Sequence, residues 1–287
     1  MDRTQPLIRD VTDTAMWVAA YRADESDRSD ALFHDTLARA LAGERGEAIA
    51  ANVKLPAVRI GVVLRTAVLD GLIGTALASG RFDAVLNLAA GLDTRPYRLD
   101  VPSGLRWVEV DMPEVITYKE RIIGDAEPRC PVERISLDLS DRPARRELFA
   151  LLGQTDSALL VITEGLLGYL DPESVAELAE DLRDEPHMLE WLSDISGPQV
   201  IGRVRNAGDH LKAEGRAQVR FAPAENTAFF EPHGWREVEY RALFAEAPRL
   251  GRDSVIGRVV RSVVRFLPES VRRSYDRAIG VVRLGRT

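Results

Sequence analysis

The chain has 287 residues, of which 45% are hydrophobic and 29% are charged, and its formal net charge is -7. A chain of this length can bury a large core, and its acidic balance argues against non-specific binding of nucleic acid, which needs a basic surface. The longest apolar runs contain charged residues and the first residues are too charged for a secretory signal, so we expect a cytoplasmic protein. The single cysteine, Cys130, excludes an internal disulfide and a cysteine-rich metal site, and we expect an inert thiol.

The first part of the chain is predicted to be helical. Apolar residues recur at helical spacing from Thr12 to Ala50, with a polar loop at Arg22–Asp30, and again from Ala57 to Gly80. We therefore assign residues 1–80 to an N-terminal helical cap.

The pattern changes after residue 80 to short runs rich in Val, Ile and Leu, most of them separated by plausible helices. These runs are Phe82–Ala90, Leu105–Met112, Val132–Ser140, Ser157–Gly165 and His187–Ile195. Such alternation predicts an α/β fold, a mostly parallel sheet covered by helices, with its core over residues 81–196.

Residues 197–232 are predicted to form a helical insertion, and residues 233–287 to complete the core with strands at Trp235–Leu243 and Ala278–Leu284. The stretch Arg252–Arg277 has apolar residues at helical spacing, with arginines off that stripe. From residue 251 to the end the chain carries a net +6, which leaves -13 for the remainder. We expect this helix to bury its stripe on the sheet; the alternative is docking on a membrane surface or a protein.

Polar residues follow the predicted strands at their carboxyl ends, the edge at which open parallel sheets bind ligands. Gly91 follows the first strand, and Asp111 ends the second, 20 residues later. An acid at that distance from a glycine turn is suited to a ribose diol. Asp138 and Leu139 follow the third strand, where they suit an adenine ring, and Glu164 follows the fourth.

This predicted site lacks the usual phosphate-binding loops. The turn reads AAGLDT and not GxGxxG, and no GxxxxGK[ST] motif occurs. The carboxylates at its edges would repel a pyrophosphate, so a nicotinamide dehydrogenase is disfavoured. A nucleoside with a positive centre fits better, and S-adenosylmethionine is the obvious candidate.

Four motifs, NLAAGLDTRPYRL, VEVDMPEVITYK, SLDLSD and ITEGLLGYL, occur in this order. Together they resemble the leucine carboxyl methyltransferase family of class I S-adenosylmethionine-dependent methyltransferases, and within it the bacterial branch that includes polyketide O-methyltransferases. The resemblance spans roughly Thr12 to Val238. It implies a doubly wound, seven-stranded Rossmann-like sheet whose final strand is antiparallel.

The resemblance also implies roles for individual residues. Arg65 matches an arginine that contacts the methionine carboxylate of the cofactor, and Arg22 matches a basic residue of the N-terminal helices. Ala89 stands where the family commonly has glycine, and Gly168 where a bulky residue is usual. The implied cofactor-binding set is Arg65, Ala89, Gly91, Asp111, Asp138, Leu139 and Glu164.

The function that follows is S-adenosylmethionine-dependent O-methylation of a carboxylate or hydroxyl of a small molecule in secondary metabolism. A hydroxyl acceptor would need a general base, for which Glu164, Tyr169 and His233 are candidates, whereas a carboxylate would need none. Two alternatives remain open: a protein C-terminal carboxyl methyltransferase, and a non-catalytic cofactor-binding protein of the same fold. Asp93 and Arg95 either contact the ligand or form an ion pair that shapes the glycine turn.

Overall fold

The computed structural model describes residues 8–53, 55–199 and 219–287. Its centre is one seven-stranded sheet in the order β3-β2-β1-β4-β5-β7-β6. The strands are β1 (Ala84–Leu88), β2 (Arg106–Asp111), β3 (Val132–Ser136), β4 (Leu159–Thr163), β5 (Met188–Ser196), β6 (Trp235–Ala242) and β7 (Ile279–Arg286). β7 runs antiparallel to β5 and β6, and the pairs among β1 to β5 are parallel, so the predicted class I methyltransferase topology is confirmed.

Helices cover the sheet and its carboxyl edge. They are α1 (Val11–Ser26), α2 (Ala38–Asn52), α3 (Pro56–Ala78), α4 (Arg95–Arg98), α5 (Pro113–Ile123), α6 (Arg142–Thr155), α7 (Pro172–Asp184), α8 (Leu243–Arg249), α9 (Val255–Val264) and α10 (Glu269–Asp276). Short 3₁₀ helices occur at Leu167–Tyr169 and Asn226–His233. Most of the predicted insertion, residues 200–218, lies outside the described residues.

Several helices begin where an aspartate caps the first turn. The carboxylates of Asp10, Asp141 and Asp171 accept backbone hydrogen bonds in the first turns of α1, α6 and α7. Such caps satisfy N–H groups that have no partner within the helix. The cap residues thereby fix where three helices leave the loops.

α3 is the core helix on one face of the sheet. By length and composition it could cross a membrane, with a mean hydropathy of 1.7 over its most apolar window. In the fold, however, Leu69 and Ile73 are fully buried in one cluster with Val85 of β1 and Leu160 of β4. Its apolar character is therefore explained by packing on both central strands.

The prediction for Arg252–Arg277 is wrong in one respect. The stretch connects β6 to β7, but it forms two helices, α9 and α10, and most of its described apolar side chains are exposed instead of packed on the sheet. Phe266 is 86% exposed and Val259 58% exposed. Hydrophobic periodicity identified the helix but could not tell which face meets solvent, because that depends on how the connection leaves the sheet.

The loop after β1 has an unusual backbone. Gly91 has φ +50, and Ala89, a residue with a Cβ, has φ +52. In this left-handed region a Cβ crowds the following carbonyl oxygen, at a cost of about 1–2 kcal/mol. The glycine that is common in the family at the position of Ala89 therefore has a conformational reason.

We expect Ala89→Gly to raise the free energy of unfolding by about 0.5–1 kcal/mol, because relief of the left-handed strain exceeds the added freedom of the unfolded chain. Urea denaturation measures this change. The matched control is Ala90→Gly, which adds the same freedom at a buried neighbour without a positive φ and is expected to destabilise. Equal destabilisation by both substitutions would contradict the strain at Ala89.

Candidate functional site

The structure brings the predicted residues to one edge of the sheet. β1 pairs with β2 on one side and β4 on the other, and β2 pairs with β3, all in parallel. Asp111 is the last residue of β2, and Glu164 directly follows β4. Gly91 and Asp138 lie in the loops that follow β1 and β3. The carboxyl ends of four adjacent strands thus supply the site.

Asp111 is bonded directly to the glycine loop. The backbone N–H of Gly91 donates to Asp111 Oδ2 at 2.6 Å, and that of Met112 donates to Oδ1 at 2.7 Å. Burial raises the pKa of Asp111, although these two bonds oppose the shift. A carboxylate offers about four acceptor positions, so Asp111 can hold the loop and still accept hydrogen bonds from a ribose diol.

Asp138 and Leu139 lie next to this pair. The N–H of Leu137 donates to the carbonyl oxygen of Asp111 at 2.8 Å, which joins the end of β3 to the end of β2. The Asp138 carboxylate accepts hydrogen bonds from the backbone and hydroxyl of Ser140. The Leu139 side chain packs against the main core. Both residues therefore lie beside Asp111 at the carboxyl edge of the sheet.

A buried arginine joins three carboxylates beside the glycine loop. Arg95 is 1% exposed. Its Nε donates to Asp70 Oδ1 at 2.8 Å, and its Nη1 lies 3.0 Å from Asp93 Oδ2 and 2.7 Å from Glu164 Oε2. Arg98 binds the same Asp70 with two nitrogens, at 2.6 and 2.9 Å. Planar guanidinium groups suit such multiple contacts.

Glu164 is held by a second arginine on its other oxygen. Arg65 Nε donates to Glu164 Oε1 at 2.9 Å, and Arg65 Nη1 lies 3.2 Å from Asp194 Oδ2. Burial alone would raise the pKa of Glu164, but Arg95 and Arg65 hold it below its ordinary value. Asp194 also accepts the N–H of Gly165 at 2.6 Å. Glu164 is therefore an ionised carboxylate with an arginine on each oxygen, and its lowered pKa makes it a weak base.

Asp70 and Asp194 were not among the predicted site residues. Asp70 lies in α3, five residues after Arg65, and Asp194 lies near the carboxyl end of β5. The sequence does contain an indication of Asp194, because this residue is a polar residue near a strand end, like the predicted site residues. Asp70 could not be identified from its spacing, since it contacts the site through the arginines of α4.

The sequence left open whether Asp93 and Arg95 form an ion pair or contact the ligand. The structure shows an ion pair that shapes the turn: Asp93 accepts the N–H of Arg95 at 2.9 Å and the amide of Asn87 at 2.8 Å. Arg22 supports the same turn from α1. Its Nη2 donates to the Leu92 carbonyl at 2.5 Å, so Arg22 is a positioning residue.

The cluster fits a cofactor that carries a positive centre. Three guanidinium groups face four carboxylates, for a net charge of -1; the members are Arg65, Arg95, Arg98, Asp70, Asp93, Glu164 and Asp194. Within the described part of the chain, the buried Nη2 of Arg95 has no hydrogen-bond partner. A Cβ at Gly165 would lie 3.3 Å from Arg65 Nη1. The amino acid end of the cofactor requires a hydrogen-bond donor that is still free, such as Arg95 Nη2. The sulfonium beside it requires a backbone without a crowding side chain, such as that of Gly165.

The candidate bases are not equally placed. Tyr169 lies in the electrostatic neighbourhood of Arg65 and Asp194, but burial raises the pKa of its phenol, so it stays protonated at neutral pH. His233 precedes β6, at the opposite edge of the sheet, where its Nδ1 lies 3.0 Å from Glu180. His233 is therefore removed from the candidate bases. The position of His233 in the sequence does not reveal this location, because the sheet edge at which the residue lies depends on the direction of β6.

Two further residues have structural roles. Glu109 is fully buried and pairs with Lys119 at 2.8 Å and Arg134 at 2.9 Å, so it supports β2 from behind Asp111. Cys130 is buried, and burial with the nearby Glu109 raises its pKa to about 11. A thiol with this pKa is almost fully protonated at neutral pH, as expected of an inert cysteine.

The fold agrees with comparisons to known proteins. The chain is 39% identical over 250 residues to a protein of Streptomyces coelicolor whose name assigns it to the S-adenosyl-L-methionine-dependent methyltransferases; the match covers 83% of this chain and 87% of that one. A protein of Frankia alni with the same assignment is 32% identical over 258 residues, with 83% and 88% covered.

Among solved structures, a DUF574 family protein from Streptomyces avermitilis has the same fold, with a TM-score of 0.58 at 14% identity over 94% of this chain and 97% of that one. An O-methyltransferase family protein from Burkholderia thailandensis gives 0.50 at 13% identity over 96% and 70%. Residues 15–183 match the model of the leucine carboxyl methyltransferase family. Together with the relatives of high coverage, this match establishes that the chain belongs to the leucine carboxyl methyltransferase family of S-adenosylmethionine-dependent methyltransferases.

Proposed function

We propose that this protein is an O-methyltransferase that transfers the methyl group of S-adenosylmethionine to a carboxylate of a small molecule in secondary metabolism, in the cytoplasm. The observation that carries the acceptor class is the state of Glu164: it is ionised, and both of its oxygens are bound by arginines. Membership of a carboxyl methyltransferase family and the motif resemblance to polyketide O-methyltransferases support the proposal.

The cofactor supplies an electrophilic methyl group on a sulfonium. The residues of the chain have to hold it and exclude competing ligands. Asp111 would accept the ribose hydroxyls, Asp138 and Leu139 would border the adenine, and Arg65 would face the amino acid carboxylate. The net negative charge around Glu164 would favour binding of the sulfonium. Most of the rate enhancement would come from alignment of the acceptor oxygen with the methyl carbon and sulfur.

We infer the chemical class of the methyl acceptor from the three candidate general bases. Of the three that the sequence suggested, Glu164 is a weak base because two arginines lower its pKa, Tyr169 has a raised pKa and stays protonated, and His233 lies at the opposite edge of the sheet. A carboxylate is ionised at neutral pH and can attack without losing a proton to the enzyme. A hydroxyl acceptor would have to lose its proton to a general base. Of the two acceptor classes, the carboxylate is therefore favoured.

We expect the methylated product to be a base-labile ester. Protein and labelled S-adenosylmethionine are incubated with a small-molecule extract, and the product is treated with mild base. Volatile label indicates a methyl ester, whereas a base-stable product indicates an ether and would contradict a carboxylate acceptor. In a parallel incubation with cell lysate, label on protein would indicate a C-terminal carboxyl methyltransferase. Cofactor binding without transfer to any fraction would indicate a non-catalytic protein.

We expect Asp111→Asn to weaken S-adenosylhomocysteine binding by roughly 10- to 100-fold, because it replaces charge-assisted hydrogen bonds of about 1.5–3 kcal/mol by neutral ones. Titration calorimetry measures the change. The control is Asp156→Asn, a similarly buried aspartate that pairs with Arg106 before β4 at the opposite edge. Unchanged affinity in Asp111→Asn would place the diol elsewhere.

The pH dependence of binding provides a second test of Asp111. The diol prefers the ionised carboxylate, so binding is complete above the pKa of Asp111 and is lost as the pH falls through it. Burial raises this pKa, and the loss begins at a higher pH than for an ordinary aspartate. Glu164 has a lowered pKa and stays ionised over that range.

We therefore expect the affinity for S-adenosylhomocysteine to fall on acidification, beginning at a higher pH than an ordinary aspartate would give, and this fall to be absent in Asp111→Asn. Calorimetry at several pH values, with circular dichroism to verify folding, makes the measurement. The same pH profile in both proteins would assign the titration to another group.

A further inference from the structure

The exposed apolar side chains of this protein are concentrated in one place. Within the described residues, seven of the nine exposed large hydrophobic side chains belong to α9, α10 and the turn between them. They are Val255, Val259, Val260, Val263, Phe266, Leu267 and Val271, and we call them the α9–α10 surface. Isolated apolar residues on a surface are ordinary, but a continuous run of this kind marks an interaction site.

The same segment concentrates positive charge. It lies in the part of the chain that carries +6, while the remainder carries -13. Arg258, Arg265 and Arg272 are exposed and form no ion pair with the described residues. Arg261 and Arg273, by contrast, pair with Asp253 and Glu269. Unpaired arginines beside exposed apolar side chains are typical of helices that lie on anionic membranes.

The surface is fixed to the body of the protein. Arg252, just before α9, pairs with Glu25 of α1 at 2.5 Å and with Asp30 at 3.1 Å. Phe244 of α8 stacks on Tyr275 of α10, with ring centroids 5.0 Å apart. β6 ends and β7 begins on either side of this connection, so the surface lies at the carboxyl edge, which also carries the candidate site.

We propose that the α9–α10 surface docks the protein on an anionic phospholipid bilayer. Phe266 and the valines of α9 enter the boundary between headgroups and acyl chains, and Arg258, Arg265 and Arg272 pair with anionic headgroups. A symmetric dimer through the same surface would bring these arginines against their own copies, which opposes self-association. Charge therefore favours a lipid surface over a second copy of the chain.

The test is sedimentation of the full chain with vesicles of phosphatidylcholine, with or without about one-third phosphatidylglycerol. We expect binding to the anionic vesicles that weakens at high salt, and much weaker binding to the neutral ones. The double variant Val263→Ser, Phe266→Ser should bind anionic vesicles at least about tenfold more weakly, because it removes buried apolar area. Arg258→Glu with Arg265→Glu should abolish the preference for anionic lipid.

The matched control is Leu151→Ser on α6, where a leucine 56% exposed lies away from the α9–α10 surface, and its vesicle binding should equal that of the wild type. Calorimetry with S-adenosylhomocysteine verifies that each variant is folded. No binding of the wild type to anionic vesicles, or equal binding by the double serine variant, overturns the proposal. So does a wild-type dimer in light scattering that Phe266→Ser dissociates while vesicle binding is absent.

Discussion

The guanidinium group of Arg95 holds together parts of the fold that are far apart in sequence. It is buried among Asp70 of α3, Asp93 of the glycine turn and Glu164 at the end of β4. A buried charge is costly unless it is paired and hydrogen-bonded, and loss of one partner leaves the others uncompensated. The turn, the core helix and the central strand are therefore positioned relative to one another by a single side chain.

This arrangement separates two kinds of carboxylate at the same edge of the sheet. Glu164 is bound by two arginines that keep its pKa low, whereas burial raises the pKa of Asp111 against the effect of its two backbone hydrogen bonds. Glu164 is suited to a permanent charge near a positive centre. Asp111 is suited to accept hydrogen bonds from neutral hydroxyls. Environment, and not residue type, assigns the two roles.

Positive and negative charge are also distributed unevenly over the chain as a whole. The cofactor edge is slightly negative, while the connection from β6 to β7 is positive and apolar at its surface. Arg252 joins the two regions through Glu25 of the cap. One edge of the sheet thus carries both the candidate site and an apolar surface that the described residues leave exposed.

The sequence by itself determined the strands, the order of the strand-end residues and the placement of Gly91 and Asp111 at two strand ends of one site, because these depend on local hydrophobic period and a short spacing. Only the tertiary structure decided the partners of Arg65, which lie 99 and 129 residues away. It also decided that His233 lies at the wrong edge and that the apolar stripe of α9 faces outward. Contacts between distant segments depend on strand direction and packing, and neither is encoded in a local pattern.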